Sequence, residues 1–414
     1  MAGLCVALLA PGVGHGQTPP ESTVTEDAVL HRWLARSSEL AALRQQVRGA
    51  RFDAVTAALW PNPNLQLNAM VTPTGTPPDG RLNVGVQWTQ MLPMFGQVSG
   101  RREAAAAALS LSEVSVAVSL WTIASDLLAQ MVARAFAAAR VNLASRNLAE
   151  LARLEEIIHR RVEAGANSEY DALRAQAARS TLNAAIANAE VERGRAEARL
   201  VALLADEAVT EVPITREGLS GFRGPEDLAA LTSLALRRRP DLELARRGVV
   251  AASAMAQRWR RENRWTPSVW LGAYGTFDPG GISVTGGLSF PMPIFDRNQG
   301  LVGRAESEAD AQRLTAQTLA VRIAREVQGA WLARARAREA LESFRASGLI
   351  ASEALVRRAE VTYRTGGPGE NFTIQDLFDA YRALWDARSQ ELDLSRSFAE
   401  AEADLERAAA LVLP

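Results

Sequence analysis

The sequence predicts a mainly α-helical chain of two structural repeats, in which long coiled-coil helices are joined by four β-strands that contribute to a small membrane β-barrel. Three observations support this fold class: long tracts of the 414-residue chain that lack proline, two matching segments framed by proline, and a seven-residue spacing of apolar residues. Together they indicate an elongated molecule and not an ordinary globular domain.

The proline-free tracts predict the long helices. No proline occurs between Pro93 and Pro213, or between Pro293 and Pro368. Because proline inside a helix costs roughly 3 kcal/mol, such tracts rich in Ala, Leu, Glu and Arg favour uninterrupted helix. One helix over 97–163 would reach roughly 100 Å at about 1.5 Å per residue.

The prolines that do occur reveal an internal repeat. Pro93 corresponds to Pro293 at an offset of 200, and Asp171 corresponds to Asp376 at an offset of 205. Each copy then reads as helix, strand pair, very long helix, tip turn and return helix. A signal-peptide remnant is predicted over 1–17. The first repeat, over 18–215, is predicted to contain a helix, strands over about 64–72 and 81–91, a long helix over about 97–163 and a return helix over about 168–205. The second repeat, over 216–414, is predicted to contain a helix over about 225–265, strands over about 267–277 and 282–291, a long helix over about 297–364 and a return helix over about 373–411.

The proline-framed segments alternate with period two, which is the pattern of β-strands. Apolar residues occupy every second position in each of the four strands; they are Leu65, Leu67, Ala69 and Val71, then Leu82, Val84, Val86 and Trp88, then Val269, Leu271, Ala273 and Phe277, then Ile282, Val284, Leu288 and Phe290. A length of about 9 to 11 residues suits a tilted strand that crosses a bilayer.

Four strands cannot close a membrane barrel alone. Free edges would leave backbone groups unpaired in hydrocarbon at several kcal/mol each, and closed barrels begin at about eight strands. The sequence therefore predicts that several copies pool their strands, with a small soluble sheet packed on helices as the alternative.

Small and large apolar residues follow a 3/4 spacing in the return helices, as in a coiled-coil seam. The predicted seam residues are Leu173, Ala177, Ser180, Ala184, Ala187, Val191, Gly194, Ala198, Val201 and Ala205 in the first copy, and Leu377, Ala380, Leu384, Ala387, Leu394, Phe398, Ala401, Leu405, Ala408 and Val412 in the second. The remaining faces are polar, which suits a hollow helical barrel with water on one side.

Charge and hydropathy exclude several classes of protein. Lys and Arg number 46 against 47 Asp and Glu, so no basic surface for nucleic acid is expected. No uninterrupted apolar stretch reaches 18 residues, which predicts that any crossing of a bilayer is made by strands. Cys5 lies in an apolar run that resembles the end of a signal peptide; acylation of this cysteine is the alternative.

No constellation of catalytic residues is recognisable in the sequence. Three histidines and one cysteine lack the spacing of a metal site, and the phosphate-loop, nucleophile-elbow and zinc-protease motifs are absent. The sequence therefore predicts no enzyme, no cofactor and no bound metal.

The tip turns carry the candidate site residues. Ser168 with Asp171, and Thr373 with Asp376, have the spacing of a helix N-cap and its third residue. Capping alone would explain Asp171 and Asp376, but not Asp379, which lies one turn further along the same helical face. Repeated about a symmetry axis, Asp376 and Asp379 would form stacked carboxylate rings at a constriction.

With these residues in view, the sequence resembles the TolC-like outer-membrane efflux protein family from about Thr25 onward. The resemblance lies in Arg239-Pro240-Asp241-Leu242, in the strand exit from Phe290 to Gly300, and in Asp376-Leu377-Phe378-Asp379-Ala380. The strand exit is most similar to the CzcC-type branch that serves heavy-metal pumps.

The resemblance implies a homotrimer with a twelve-stranded barrel in the outer membrane and a helical tunnel through the periplasm. Its implied partners are outer-membrane lipid, a periplasmic adaptor and an inner-membrane RND-type transporter. It also implies that the periplasmic aperture is closed at Asp376, Asp379, Tyr363 and Tyr170, although both tyrosines could equally be packing residues.

The expected function is passive export of heavy-metal cations or small toxic compounds. Two alternatives stay open at this point: a type I secretion duct for a polypeptide, and a soluble periplasmic coiled-coil scaffold.

Overall fold

The computed structural model describes residues 24–71, 82–163, 169–277, 280–365 and 373–413. The predicted signal-peptide remnant over 1–17, Cys5, Ser168 and the turns over 73–80 and 366–372 lie outside these ranges. The elements are α1 (Glu26–Arg36), α2 (Ser38–Ala57), β1 (Asn64–Val71), β2 (Leu82–Met91), α3 (Gln97–Glu163), α4 (Glu169–Leu204), α5 (Leu228–Arg238), α6 (Pro240–Glu262), β3 (Ser268–Phe277), β4 (Gly280–Ser289), α7 (Gln299–Phe344), a π-helical turn (Arg345–Leu349), α8 (Ile350–Thr365) and α9 (Ile374–Ala408).

The predicted fold class is confirmed. The chain is mainly helical, its two halves repeat the same order of elements, and four strands form one antiparallel sheet in the order β1-β2-β3-β4. The central pairing, β2 with β3, joins the two repeats. Within the described ranges, the outer edges of β1 and β4 have no strand neighbour.

One predicted helix is divided in two. The range over about 225–265 contains α5 and α6, which meet at Arg239 with φ −62° and ψ 119°. Proline at the next position lacks an N–H and pushes the residue before it out of helical geometry. Ser37, between α1 and α2, has nearly the same angles, φ −62° and ψ 125°. The break between the two helices therefore occurs at the equivalent place in both repeats.

The second long helix is also interrupted. The predicted range over about 297–364 contains α7, the π-helical turn and α8. A Cβ on Gly348 would lie 2.8 Å from the Phe344 ring, so the wider turn accommodates this ring only because residue 348 is glycine. Within this turn, Arg345 Nε donates a hydrogen bond to Glu391 of α9 at 2.8 Å. This bond holds the π-helical turn against α9.

One helix in the described ranges, α3, is long and apolar enough to cross a membrane by length and composition alone. The sequence predicted that no helix crosses a bilayer, because no uninterrupted apolar run reaches 18 residues. In α3, single polar residues interrupt the apolar runs. α3 packs along α4 and α6, but none of the residues in the apolar stretch that meets this criterion is buried in the single chain.

Small buried clusters hold the helices together at successive levels. Trp33 of α1 packs with Leu127 and Met131 of α3 and with Leu200 of α4. Another cluster joins α7 and α9 to α5, and a further one, at the tips, joins α3, α8 and α9. The elongated fold therefore has a chain of small cores and not a single centre.

The two predicted seams differ in their outcome. In α9 the predicted positions are buried or half-buried, including Leu384 and Leu405. In α4 the predicted positions Leu173 and Val191 are 64% and 52% exposed, and the buried residues are Ala175, Ala189, Ala196, Leu200 and Leu204. Because α4 is rich in alanine on several faces, its sequence does not single out one seam.

Candidate functional site

The sheet has one continuous apolar face. Across the four strands Leu67 lies opposite Val86, Val86 opposite Ala273, and Ala273 opposite Val284. Leu67 and Val284 are 77% and 78% exposed in the single chain. A large exposed apolar surface of this kind marks a membrane or protein contact.

The opposite face of the sheet is polar and rich in glycine. Gln66, Gln87 and Thr285 lie on this face, together with Gly85 and Tyr274. The Tyr274 hydroxyl donates to Gln87 Oε1 at 3.1 Å. The sheet can therefore face lipid on one side and water on the other.

Two aromatic rings lie directly against glycines of the polar face. A Cβ on Gly85 would lie 2.3 Å from the Tyr274 ring, and a Cβ on Gly287 would lie 2.9 Å from the Trp270 ring. Real Cβ atoms do not approach that closely, so the rings keep these positions only over glycine. This arrangement limits how far the two rings stand out from the polar face.

Gln97, which was not among the predicted site residues, anchors the segment that leads from β2 into α3 to the segment that precedes β3. Its side chain is fully buried, and its Nε2 donates to Arg264 O at 3.3 Å, Trp265 O at 3.2 Å and Thr266 Oγ1 at 3.1 Å. These partners lie 167 to 169 residues away in sequence, so no local pattern could have revealed the contact.

At the tips, Asp376 belongs to a capping box with Thr373. The Thr373 N–H and hydroxyl donate to Asp376 Oδ2 at 2.8 and 2.7 Å, and the Asp376 N–H donates to Thr373 Oγ1 at 3.4 Å. The hydrogen bond from the Thr373 side chain, followed by that from its backbone, lowers the pKa of Asp376. Asp376 is thus an exposed carboxylate that stays ionised at neutral pH.

Asp379 lies one turn further along α9 and faces the other tip. Its side chain is 58% exposed, and its Oδ1 lies 3.8 Å from Arg174 Nη2 of α4. This charge contact connects α4 of the first repeat with α9 of the second. Asp171, the counterpart of Asp376, is in the first turn of α4.

The two candidate tyrosines lie in different environments. Tyr363 is 8% exposed and packs in the tip cluster with Leu377 and Phe378, whereas Tyr170 is 69% exposed. Tyr363 is thus part of the packing at the tips, beside the turn of α9 that carries Asp376 and Asp379, whereas the Tyr170 ring is exposed.

Several residues that tie α9 to its neighbours were not predicted. Arg388 Nη1 donates to both Glu150 oxygens, at 2.8 and 2.9 Å, and Trp385 Nε1 donates to Glu150 Oε2 at 3.0 Å. Tyr381 donates its hydroxyl to Glu360 of α8. Within the described ranges, no group of three or more His, Cys, Asp or Glu side chains is placed to hold a metal ion.

Both repeats of the chain match a known protein family. A family model described as outer membrane efflux protein matches residues 29–206 and 231–411, one segment in each repeat. The chain belongs to this outer membrane efflux protein family. The predicted membership and its efflux-channel function are thereby confirmed.

Two curated members of the family are similar over most of this chain. The cobalt-zinc-cadmium resistance protein CzcC of Cupriavidus metallidurans is 26% identical, with 98% of this chain and 97% of that protein covered. Protein CyaE of Bordetella pertussis is 28% identical, with 79% and 72% covered.

Solved structures of membrane channels share the fold. CusC superposes with a TM-score of 0.75 at 18% identity, with 95% of each chain covered. The open state of the MtrE outer membrane channel of Neisseria gonorrhoeae superposes with a TM-score of 0.72 at 19% identity, covering 97% of this chain and 95% of that one. These relatives are outer-membrane channels.

Proposed function

We propose that this family member is the passive exit duct of a tripartite efflux system, formed by three copies of the chain. Three four-stranded sheets would close a twelve-stranded barrel in the outer membrane, and the helices would continue as a tunnel through the periplasm. The observation that carries the proposal is the four-stranded sheet with one exposed apolar face and, among the described residues, two unpaired edges. Such a sheet is stable in lipid only when its edges are closed.

The same observation argues against a soluble scaffold. A soluble protein would bury the face that carries Leu67, Ile282 and Val284, yet these residues are 77%, 83% and 78% exposed. No element of the described chain covers them. The exposed face of α4, with Leu173 and Val191, would in turn contact the helices of a neighbouring copy.

The cargo and partners are carried over from the relatives. Coverage of nearly the whole chain by CzcC supports heavy-metal cations, or small toxic compounds, as the cargo. A periplasmic adaptor and an inner-membrane RND-type transporter would deliver it. The duct itself would do no chemistry, so no catalytic residue is assigned.

The aperture would lie at the helix tips. Ionised Asp376 and the neighbouring Asp379 would form two carboxylate rings around the axis, and the contact of Asp379 with Arg174 would help to hold the tips together. Tyr170 is exposed and could reach the aperture, whereas the burial of Tyr363 supports a packing role beside it.

Purification and electrical recording test this proposal. The protein, extracted from outer membranes in mild detergent, should behave as a trimer and should form discrete channels in planar bilayers. Recovery of a folded monomer from the periplasm without detergent would contradict the duct.

Cargo is tested separately in a bacterial host that has the matching pump and adaptor but lacks its own duct. Expression of the chain should restore growth in cobalt, zinc or cadmium salts. Restored resistance to organic toxicants alone would instead assign the duct to small compounds.

A further inference from the structure

The two strand exits are equivalent in the internal repeat, but one is enclosed and the other is open. The first exit leads from β2 into α3 and ends at Gln97, whose side chain is fully buried. The second leads from β4 into α7 and ends at Gln299, whose side chain is exposed. Gln97 and Gln299 are equivalent in the repeat, but only Gln97 is covered by other residues of its own chain. The surface that would cover Gln299 is therefore missing from the single chain.

The first exit shows what that surface does. Gln97 donates to three acceptors in the segment that precedes β3, as described above, and the Leu92 N–H donates to Pro267 O at 2.7 Å. Both contacts lie just beyond the end of the β2–β3 pairing, where Met91 is opposite Ser268; in the same register Trp88 is opposite Leu271. They fasten the end of β2 to the start of β3.

The second exit has the same internal hydrogen bonds but fewer partners outside itself. Gln299 Oε1 accepts the Arg297 N–H at 2.7 Å, just as Gln97 Oε1 accepts the Phe95 N–H at 2.9 Å. The Ile294 N–H donates to Met292 O at 2.9 Å, as the equivalent residues of the first exit also do. Among the described residues, however, Gln299 Nε2 reaches only the Phe295 oxygen, at 3.4 Å.

The missing acceptors have a counterpart in the first repeat. The segment before β3 reads Thr266-Pro267-Ser268, and the segment before β1 reads Asn62-Pro63-Asn64. Pro267 is buried under the first exit, whereas Pro63 is exposed beside the outer edge of β1. Trp60, which corresponds to Arg264, is also 55% exposed.

We propose that the second exit binds the segment 60–63 of a neighbouring copy of this chain. Gln299 donates to the backbone of that segment and to Asn62, and the Met292 N–H donates to Pro63 O. β4 then pairs with β1 of the neighbour, with Leu288 opposite Leu67, as Trp88 is opposite Leu271 within the chain. This inference rests on the trimer of the proposed function.

The chemistry of the two edges agrees with this register. Leu288 would meet Leu67, Gly286 would meet Ala69, and Val284 would meet Val71, so the apolar faces of both sheets join without a break. A slip of one residue would bring polar side chains to the lipid face. A slip of two would preserve the faces, so the contacts of Gln299 and Met292 are what select the register.

Cysteine cross-linking in outer membranes tests the register. In a chain with Cys5→Ser, the pair L288C and L67C should cross-link copies into dimers and trimers under mild oxidation. The pairs L288C with L65C and L288C with A69C, each displaced by two residues, should yield several-fold less product. The pair W88C and L271C is the internal control, because its link forms within one chain.

The outcomes are distinct. Trimers that cross-link best through L65C or A69C overturn the register and leave the duct intact. Failure of every pair to link copies, with a monomer after extraction, overturns the duct itself and the register with it.

The amide clamp has its own test. In the L288C and L67C background, Gln299→Ala should reduce cross-linking several-fold, and Gln299→Asn, which retains an amide on a shorter side chain, should reduce it less. Gln328→Ala, a change of the same type further along α7, is the matched control and should leave cross-linking unchanged. Undiminished cross-linking in Gln299→Ala would overturn the clamp.

Discussion

Arg334 donates its Nε to Glu402 at 3.1 Å and so joins α7 to α9 by a largely buried ion pair. The first repeat contains the same contact between Arg134 of α3 and Glu197 of α4, with Nε and Oε2 2.6 Å apart. The offsets, 200 and 205, are those of the internal repeat in the sequence. Both arginines are 6% exposed.

Loss of this ion pair should destabilise the chain. Arg334 also donates to both Glu226 oxygens, at 2.7 and 3.1 Å, and stacks over the Phe222 ring at 4.4 Å. Arg334→Ala leaves Glu402 largely buried without its partner, so we expect a loss of about 3 kcal/mol in the free energy of unfolding. Denaturant titration measures it, and Arg336→Ala, on an exposed part of α7, should change stability by less than about 0.5 kcal/mol. Equal effects of the two changes would contradict a structural role of the buried pair.

Removal of the Asp376 and Asp379 carboxylates should increase the flow of ions through the proposed aperture. We expect Asp376→Ala with Asp379→Ala to raise single-channel conductance in planar bilayers and to weaken block by multivalent cations, because the two proposed rings of negative charge would be lost. Asp376 also caps α9, so Thr373→Ala is the control that weakens the cap but keeps both charges. Unchanged conductance and block in the double variant would remove the ring assignment.

Displacement of Tyr274 should narrow the proposed strand barrel. In Gly85→Val the new side chain occupies the position of the Tyr274 ring, so we expect the ring to move away from the sheet and to lower the conductance. Gly85→Val with Tyr274→Ala should recover most of the loss. Gly275→Ala is the control on the same sheet, since its Cβ would meet no atom closer than 3.9 Å. A conductance in Gly85→Val equal to that of the unchanged protein would contradict this role of the glycine.

Stability should depend on the titration of Glu406. Burial raises the pKa of this carboxyl from its ordinary value of 4.5 to about 7, although the Arg223 N–H donates to its Oε1 at 3.2 Å. The charge of Glu26, whose own pKa is raised by burial, adds to the effect.

The sign follows from proton binding. The folded chain holds the proton of Glu406 more tightly than the unfolded chain, so the stabilisation is complete below about pH 4.5 and is lost as the pH rises to about 7. We expect Glu406→Gln, which retains an oxygen acceptor for Arg223, to be more stable at pH 8 by about 2 kcal/mol and to vary less between pH 5 and 8. Thermal unfolding across this range measures it, with Glu400→Gln, at an exposed pair with Arg396, as the control. A parallel decline in both variants would contradict the assignment to Glu406.

The sequence alone determined the features that depend on local physics. Proline spacing located the long helices, period-two alternation located all four strands within one or two residues, and the spacing of Thr373 and Asp376 indicated the cap that the structure contains. Each of these signals lies within a short segment. The internal repeat followed from them, and so did the hypothesis that several copies share one barrel.

Only the tertiary structure decided which surfaces meet. The partners of Gln97 lie 167 to 169 residues away, the burial of Tyr363 depends on α3 and α9, and the buried face of α4 is not the seam that its spacing favoured. An alanine-rich helix offers several similar faces, and a glutamine has the same local signal whether its amide is buried or exposed. The choice among them is made by the residues that the folded chain brings opposite, and their identity is not encoded in the local sequence.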